Sequence, residues 1–248
     1  MKEKQNLIFH PNLAQAYYKI LGPWEAYLHT ILKTELKRRF WGMVGKTALE
    51  IGCGPGRRAY LLRELGFDVT ACELSPFMLR QARFTLKGKV EVLEMDAHDM
   101  SFEDGFFDIS FLIFTLSCVR DHLQVLRETV RVTRQCMFVA EINPFSILGL
   151  RFLFERSFKN SVFKDMYLYS PWSIKAIVKG IPGVKSVSGL NPSWNPFTGV
   201  YVFVSDIYYD KVLNLKPILK DKVKGKVVEG LAITFKHMGG QNEKSLSL

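Results

Sequence analysis

With 248 residues, of which 48% are hydrophobic and 23% charged, the chain can form one large domain with a hydrophobic core. Four cysteines without a CxxC pair argue against a disulfide framework and against a zinc site. The first residues lack a signal-peptide core, and no apolar run approaches the roughly 20 residues of a transmembrane helix. These features predict a cytoplasmic protein without a membrane span.

The net charge of +10 is unevenly distributed along the chain. Residues 47–144 carry eleven basic and fourteen acidic side chains, whereas residues 145–190 carry seven basic and two acidic ones. The basic segments are either ordinary solvated surface or a contact region for an anionic substrate, a membrane surface or nucleic acid. The charge alone leaves these alternatives open.

The first predicted element is a helix over residues 12–40, where leucines recur at helical spacing, with a break near Gly22 and Pro23. Short apolar segments and helical segments then alternate. The predicted strands are 47–51, 68–73, 89–95, 107–114, 136–142, 183–189 and 199–205. The predicted helices between them are 57–65, 76–86 and 121–133, with Ser75 and Asp121 as N-caps.

Alternation of apolar strands with helices is typical of a parallel sheet covered on both faces. The last two strands, 183–189 and 199–205, follow each other closely and are predicted to form an antiparallel pair. In parallel sheets of this kind, ligands bind beyond the carboxyl ends of the strands. The loops that follow the strands are therefore the segments in which site residues are expected.

Three glycines, Gly52, Gly54 and Gly56, follow the first strand and precede the next helix. Their spacing is GxGxG, and the third glycine comes one residue earlier than in the dinucleotide fingerprint GxGxxG, which argues against a nicotinamide cofactor. Glycine at the first two positions lets the backbone adopt positive φ and approach a ligand closely. Glu50 precedes the turn, where a carboxylate suits an amine or a sulfonium better than a pyrophosphate.

The segment 50–56 (EIGCGPG) resembles the first motif of class I S-adenosylmethionine-dependent methyltransferases of the small-molecule type. The resemblance extends in order and spacing over about residues 45–143. It includes the segments 72–78 (CELSPFM), 96–98 (DAH), 102–108 (FEDGFFD) and 121–132 (DHLQVLRETVRV). Many members of the family have a Pro-Gly-Gly turn before the fifth strand, where this chain reads TRQC, so the local turn departs from the family pattern.

This resemblance implies a Rossmann-like α/β fold with a mostly parallel seven-stranded sheet, helices on both faces and an antiparallel strand near the C-terminus. It also implies S-adenosylmethionine as the cofactor and a further helix that begins near residues 169–172. Glu73 would accept the ribose hydroxyls and Asp96 the adenine amino group, the alternative for both being a cap or a solvated acid. The expected cofactor-binding residues are Glu50, Gly52, Cys53, Gly54, Gly56, Glu73, Leu74, Met78, Asp96, Ala97, His98 and Phe114. For Leu74, Met78 and Phe114, a place in the ordinary core is the alternative.

Methyl transfer from a sulfonium is an in-line displacement, which proximity, orientation and exclusion of water promote. The chain has no GxSxG or HExxH motif, and its five histidines lack metal-ligand spacing, so no catalytic nucleophile or metal is expected. A base is needed only if the accepting atom carries a proton of high pKa. The candidates are His122 and Glu141, which follow or end strands at the ligand-bearing edge.

The acceptor is expected between the N-terminal helices and a basic, aromatic insertion over residues 145–180. Candidate acceptor-binding residues are Tyr18, Trp24, Asn143, Arg151 and Tyr169. Such an insertion suits an anion with an apolar body or peripheral contact with a membrane, and a lid packed on the sheet is the alternative. The predicted organisation is a helical cap (1–44), a cofactor-binding methyltransferase domain (45–206) and a Lys-rich extension (207–248).

The leading functional hypothesis is therefore methyl transfer to a small-molecule or lipid-like acceptor. An RNA or protein methyltransferase is the alternative that the basic segments favour. No recognisable RNA-binding module is present, and no Asn-Pro-Pro-Tyr-like clamp follows the fourth strand, which disfavours nucleic acid. A non-catalytic cofactor-binding protein is the third hypothesis, and the oligomeric state is left open.

Overall fold

The computed structural model describes residues 12–39, 45–158, 161, 163–164, 166–190 and 199–208. The strands are β1 (Thr47–Ile51), β2 (Asp68–Glu73), β3 (Glu91–Glu94), β4 (Phe107–Ile113), β5 (Thr133–Ile142), β6 (Val184–Gly189) and β7 (Val200–Ile207). The helices are α1 (Leu13–Arg39), α2 (Arg57–Glu64), α3 (Pro76–Leu86), α4 (His122–Val132), α5 (Ile147–Arg156) and α6 (Pro171–Lys179). A 3-10 turn, Leu116–Cys118, follows β4. Nearly all of the predicted extension over 207–248 lies outside the described residues, and the predicted domain boundaries stay predictions.

The strands form one seven-stranded sheet in the order β3-β2-β1-β4-β5-β7-β6. The first five strands in this order pair in parallel, whereas β7 is antiparallel to both β5 and β6. Leu49 of β1 pairs with Ser110 of β4, and Val139 of β5 pairs with Phe203 of β7. The predicted sheet, including its antiparallel strand near the C-terminus, is confirmed.

Each face of the sheet carries its own hydrophobic core. One core contains buried residues of α1, α2, α3 and α5, and the other contains buried residues of α4 and α6. Successive strand residues alternate between the two: Ala48 belongs to the first core, and Leu49 and Ile51 belong to the second. Glu50 has the same parity as Ala48, so its side chain lies on the face that α1 and α2 cover.

The predicted break in the first helix is wrong, because α1 runs without interruption through Gly22 and Pro23. A proline inside a helix removes one backbone hydrogen bond, at a cost of about 3 kcal/mol. Leu21 before the proline and Leu28 and Leu32 after it are fully buried in the same core. Burial of three leucines at about 2 kcal/mol each outweighs the lost bond and keeps both halves in one helix.

The start of β5 also differs from the prediction, because the strand begins at Thr133 rather than at Cys136. The hydroxyl of Thr133 donates to the carbonyl of Thr129 at 2.5 Å and contacts the hydroxyl of Ser110 at 2.6 Å. These contacts fix the end of α4 to β4, so the chain enters β5 directly from the helix. A glycine-containing turn is therefore not needed at this place.

The predicted helix N-caps are confirmed. The Ser75 hydroxyl accepts a hydrogen bond from the backbone N–H of Met78 at 3.4 Å, and the Asp121 carboxylate accepts one from Gln124 at 3.0 Å. The helix predicted to begin near 169–172 is α6, which Ser170 caps. Among the described residues, no helix has both the length and the apolar character needed to cross a membrane.

Truncation of a buried leucine on α1 tests whether this helix is part of the core. Leu32→Ala should lower the free energy of unfolding by about 2–5 kcal/mol, because it removes buried methyl groups and leaves a cavity. Urea denaturation measures this change, and Lys33→Ala, at the neighbouring exposed position, serves as the control. An equal stability of the two variants would show that α1 adds little to the core.

Candidate active site

The glycine turn between β1 and α2 has the backbone geometry that its sequence predicts. Gly52, Gly54 and Gly56 have φ values of +66°, +54° and +83°. A Cβ on Gly52 would lie 2.8 Å from Thr115 Cγ2, and one on Gly56 would lie 2.9 Å from Leu86 Cδ1. At Gly54 the nearest described atom would be 3.9 Å away. The outer two glycines therefore allow close packing, whereas the middle one borders space that a ligand can enter.

Glu73 joins this turn to the loop after β2. Its Oε2 accepts a hydrogen bond from the N–H of Gly54 at 2.8 Å, and its Oε1 accepts bonds from Leu74 at 2.9 Å and Ser75 at 2.8 Å. Burial raises the pKa of this carboxyl, and the three N–H donors oppose that effect. A carboxylate accepts about four hydrogen bonds, so Oε2 retains one acceptor position. The residue fits a ribose hydroxyl at that position.

Glu50 forms a buried ion pair that its sequence did not predict. The Nε of Arg58 donates to Glu50 Oε1 at 3.0 Å, and both side chains are almost fully buried. Burial raises the pKa of Glu50 to about 7, and the charge of Arg58 opposes this effect. The other oxygen, Oε2, is buried without a hydrogen-bond partner among the described residues. Glu50 therefore offers an orphaned acceptor beside the turn, although its charge is shared with Arg58.

A second carboxylate, Glu25 of α1, approaches the same guanidinium. Its Oε1 lies 3.8 Å from Arg58 Nη1, and its Oε2 lies 3.0 Å from Arg57 Nη1. Arginines in the first turn of a helix are unfavourably placed relative to the helix dipole. Because Arg57 and Arg58 both lie in the first turn of α2, the sequence alone indicates that each has a carboxylate partner. Through them, α1 closes one side of the glycine turn.

Asp96 and His98 form a local pair after β3. Asp96 Oδ1 accepts the backbone N–H of His98 at 2.9 Å and lies 2.6 Å from His98 Nδ1. Burial opposes ionisation of Asp96, but the hydrogen bonds and charge of His98 outweigh it and lower its pKa. The Asp96 side chain is about half exposed, and its Oδ2 is the oxygen that remains for a donor such as the adenine amino group. The backbone N–H of Asp121 donates to His98 Nε2 at 3.4 Å, which fixes the ring.

The apolar residues predicted around the adenine differ in burial. Met78 and Phe114 belong to the core beneath the glycine turn, whereas Leu74 is half-buried at the loop surface. Phe114 has a φ of +59°, which is rare for a residue with a side chain. Its ring centroid lies 6.0 Å from the guanidinium carbon of Arg58. Half-buried Ala97 packs against the core on the other face.

Cys53 lies inside the turn and is fully buried. Its Sγ donates to the carbonyl of Gly54 at 3.6 Å. Burial raises the pKa of the thiol well above its ordinary value, with the nearby carboxylates of Glu50 and Glu73 adding to the effect. A protonated, buried thiol suits packing rather than chemistry.

Glu141, one of the two candidate bases, supports the 3-10 turn after β4. Its Oε1 accepts N–H bonds from Leu116 at 2.9 Å and Ser117 at 3.4 Å, and its Oε2 accepts the hydroxyl of Ser117. Burial raises the pKa of Glu141 to about 7, against the effect of these donors. Both oxygens are engaged and buried, so this geometry favours a supporting role over proton abstraction.

The other candidate base, His122, is in contact with a residue predicted on the acceptor side. Its Nδ1 lies 3.1 Å from the hydroxyl oxygen of Tyr169, and the ring centroids are 5.0 Å apart. Burial raises the pKa of Tyr169 to about 12, with the charge of Glu141 adding to the effect. The Tyr201 hydroxyl donates to the Tyr169 carbonyl at 3.1 Å and holds its backbone in place. Sequence reasoning missed Tyr201, because its position in β7 gives no motif.

Trp24 and Asn143 both contact Gly199, the residue that precedes β7. A Cβ on Gly199 would lie 2.7 Å from Trp24 Cε3, so the indole packs directly on this glycine. The N–H of Asn143 donates to the Gly199 carbonyl at 3.0 Å. The Asn143 side-chain oxygen accepts the N–H of Phe145 at 3.1 Å and so belongs to the turn that begins α5.

Among the predicted acceptor residues whose side chains the structure describes, Arg151 is not brought to this place. Arg151 is exposed on α5, and no described hydrogen bond or ion pair joins it to the other candidates. The side chain of Tyr18 lies outside the described residues. A cavity of about 670 Å³ lies at the opposite edge of the sheet, lined by the first residues of β1 to β4, and is separate from this site. Within the described ranges, no group of three or more His, Cys, Asp or Glu could hold a metal ion.

Several known proteins are similar to this chain in sequence. Residues 49–136 match the family model described as a methyltransferase domain. The chain is 26% identical over 175 residues to the demethylmenaquinone methyltransferase of Bacillus licheniformis, with 62% of this chain and 75% of that protein covered. It is 29% identical over 163 residues to a probable phthiotriol/phenolphthiotriol dimycocerosates methyltransferase of Mycobacterium ulcerans, with 59% and 63% covered.

A solved structure extends the likeness to the fold. The chain superposes on a SAM-dependent methyltransferase from Thermotoga maritima with a TM-score of 0.56 at 19% identity, covering 79% of this chain and 99% of that one. At this identity the match concerns the fold alone, and it includes nearly the whole of the compared chain.

Removal of the Glu73 carboxylate tests the expected ribose contact. Glu73→Ala should weaken S-adenosylmethionine binding by about 1.5–3 kcal/mol, through loss of charge-assisted hydrogen bonds. Calorimetry measures this loss, and circular dichroism checks the fold. Glu94→Ala is the matched control, because this exposed glutamate pairs with Glu73 across β2 and β3. An unchanged affinity in folded Glu73→Ala would place the ribose elsewhere.

Glu141 should make stability depend on pH. Its folded-state pKa of about 7 exceeds the ordinary 4.5, so the folded protein holds the proton more tightly than the unfolded chain. The resulting stabilisation, at most about 3 kcal/mol, is fully present below pH 4.5 and is lost as the pH rises through 7. Glu141→Gln should therefore show a flatter fall in the free energy of unfolding, measured by urea denaturation between pH 4.5 and 7.5. Parallel pH curves for variant and parent would contradict this assignment.

Proposed function

Because this chain is a class I S-adenosylmethionine-dependent methyltransferase of the small-molecule type, we propose that its acceptor is a lipid-like molecule with an apolar body. The observation that carries the proposal is the aromatic character of the carboxyl edge of the sheet. Trp24 packs on Gly199 there, Tyr167 stacks on Tyr169 with centroids 6.3 Å apart, and Tyr169 contacts His122. Aromatic side chains around a cofactor site suit an apolar ligand with few polar groups.

The names of relatives support the same acceptor class. Two of them are named for demethylmenaquinone and for phthiotriol/phenolphthiotriol dimycocerosates. An acceptor of this kind needs an apolar surface for its body and one or two polar groups for orientation. The aromatic side chains and the hydroxyl of Tyr169 supply both.

Four residues of this chain have proposed roles toward the cofactor. Gly54 gives it close access to the backbone, Glu73 accepts a hydrogen bond from a ribose hydroxyl, and Asp96 accepts one from the adenine amino group through Oδ2. The orphaned Oε2 of Glu50 accepts a donor of the methionine part. When bound, the cofactor supplies an activated sulfonium methyl group, and the protein has to orient the acceptor and exclude water.

The His122–Tyr169 pair is proposed to move the proton of the acceptor. Tyr169 stays protonated near neutral pH because its pKa is raised to about 12. In the tautomer of His122 that carries its proton on Nε2, the Tyr169 hydroxyl donates to Nδ1. In the proposed path, the acceptor proton passes to the Tyr169 oxygen while Tyr169 gives its own proton to Nδ1. The proton then resides on His122 and leaves to solvent after transfer.

The acceptor class is tested by the fate of a labelled methyl group. The full chain is incubated with isotopically labelled S-adenosylmethionine and a cell extract, which is then divided into organic-soluble, water-soluble, RNA and protein fractions. The expected result is label in the organic-soluble fraction, followed by mass-spectrometric identification of the methylated molecule. Label in the RNA or protein fraction would overturn the proposal.

Substitution of the pair tests its role. His122→Gln and Tyr169→Phe should each lower kcat by about 100-fold or more, while S-adenosylmethionine affinity stays within about twofold. The double variant should lose little more than the worse single variant, because both residues move one proton. Leu123→Ala, at the next exposed position of α4, is the control. Additive losses, or unchanged kcat, would assign the pair a structural role.

A further inference from the structure

Helix α5 is apolar on two opposite sides. Leu148 and Phe152 are buried in the core that also contains α1, α2 and α3. Ile147, Leu150 and Phe154 recur at spacings of three and four residues, and each exposes between 61% and 65% of its surface. A helix with apolar residues on both sides is normally covered on both. The outer side of α5 has no such cover among the described residues.

Two further aromatic side chains extend this surface. Phe145 precedes α5, and Trp172 is the second residue of α6. Their ring centroids lie 5.5 Å apart, and each exposes more than half of its surface. We call these five residues the outer apolar face: Phe145, Ile147, Leu150, Phe154 and Trp172. Single exposed apolar residues are ordinary, but five exposed apolar side chains on and beside one helix indicate an interaction surface.

Basic residues border the outer apolar face. Arg151 lies one turn from both Ile147 and Phe154 on α5, and Lys175 lies one turn from Trp172 on α6. All of residues 145–190 contribute seven basic and two acidic side chains. A second copy of this chain would bring two such basic segments together, which charge repulsion disfavours. An anionic surface is the complementary partner.

The position of the face relates it to the active site. Phe145 follows β5 by three residues, and Trp172 follows Tyr169 by three residues, so both lie beside the carboxyl edge at which Tyr169 contacts His122. A ten-residue helix is about 15 Å long, half the thickness of the bilayer's hydrocarbon core. It can lie in the interface plane but cannot cross the membrane.

We propose that the outer apolar face docks on an anionic lipid surface, with the side chains of α5 and Trp172 inserted at the headgroup level. Docking in this orientation turns the active-site edge of the sheet toward the lipid. The docking itself is independent of the proposed acceptor. Its use, which is delivery of a lipid-like acceptor from the membrane, rests on the proposed function.

Vesicle binding tests the proposal without acceptor or cofactor. The full chain is sedimented with vesicles of phosphatidylcholine alone and with vesicles that also contain phosphatidylglycerol. We expect binding to the anionic vesicles, weaker binding to the neutral ones, and a fall in binding as salt is added. The double variant Leu150→Glu and Phe154→Glu should bind roughly tenfold less well or worse, since it places charge in the inserted face.

The matched control is Phe84→Glu, because Phe84 is a 73% exposed phenylalanine on another helix, α3. This variant should bind vesicles like the parent chain, and circular dichroism and S-adenosylmethionine calorimetry check that all variants are folded. A third variant, Arg151→Gln with Lys175→Gln, should lose the additional binding to anionic vesicles and keep the weaker binding to neutral ones.

Three outcomes would overturn the proposal. They are the absence of parent-chain binding to anionic vesicles, equal binding by the double glutamate variant, and a parent dimer in sedimentation that the same variant converts to monomer. The last result would assign the face to an interface between copies. Vesicle binding that persists while label enters RNA would refute the proposed acceptor and leave the docking intact.

Discussion

The geometry of the glycine turn depends on one guanidinium held between two buried carboxylates. Arg58 is the second residue of α2, directly after the glycines, and it contacts Glu50 of β1 and approaches Glu25 of α1. The guanidinium of Arg58 therefore joins α2, which carries it, to β1 and to α1. Removal of one partner from such a group typically costs about 3–5 kcal/mol, because the remaining charge stays buried. The glycine turn cannot shift without breaking these contacts.

The same cluster leaves an acceptor open for its proposed ligand. Two carboxylates surround Arg58, and Arg57, the second cation, is half exposed to solvent and pairs with Glu25. The formal charges of the four side chains balance, and one oxygen of Glu50 is left without a hydrogen bond. An ammonium group of the ligand supplies the missing donor, and its positive charge favours the ionised form of Glu50. Binding and the stability of the turn are thus expected to reinforce each other.

Most of the sheet and the glycine turn could be predicted, because their signals are local. Strand periodicity, the caps at Ser75 and Asp121 and the GxGxG spacing each involve residues close in sequence. The errors concern interactions between distant residues. Continuity of α1 through Pro23 depends on burial against α2 and α3, and the partners of Arg58 and Glu141 come from segments 8 to 33 residues away. A pattern within one segment can indicate that a partner exists, as the two arginines at the start of α2 do, but it does not identify the partner.

Phe114 shows how a buried ring stabilises an unfavourable backbone conformation. Its left-handed backbone costs about 1–3 kcal/mol, yet its N–H reaches the Ala140 carbonyl at 2.8 Å, and the turn brings Thr115 Oγ1 within 2.7 Å of the Ile51 carbonyl. Glycine or asparagine at this position would relieve the backbone but leave a cavity where the ring is buried, at a cost of about 3–5 kcal/mol. A search for heat-resistant variants that considers backbone conformation alone would therefore choose a destabilising substitution here. Selection for melting temperature should instead retain the aromatic ring beside Arg58 and the glycine turn.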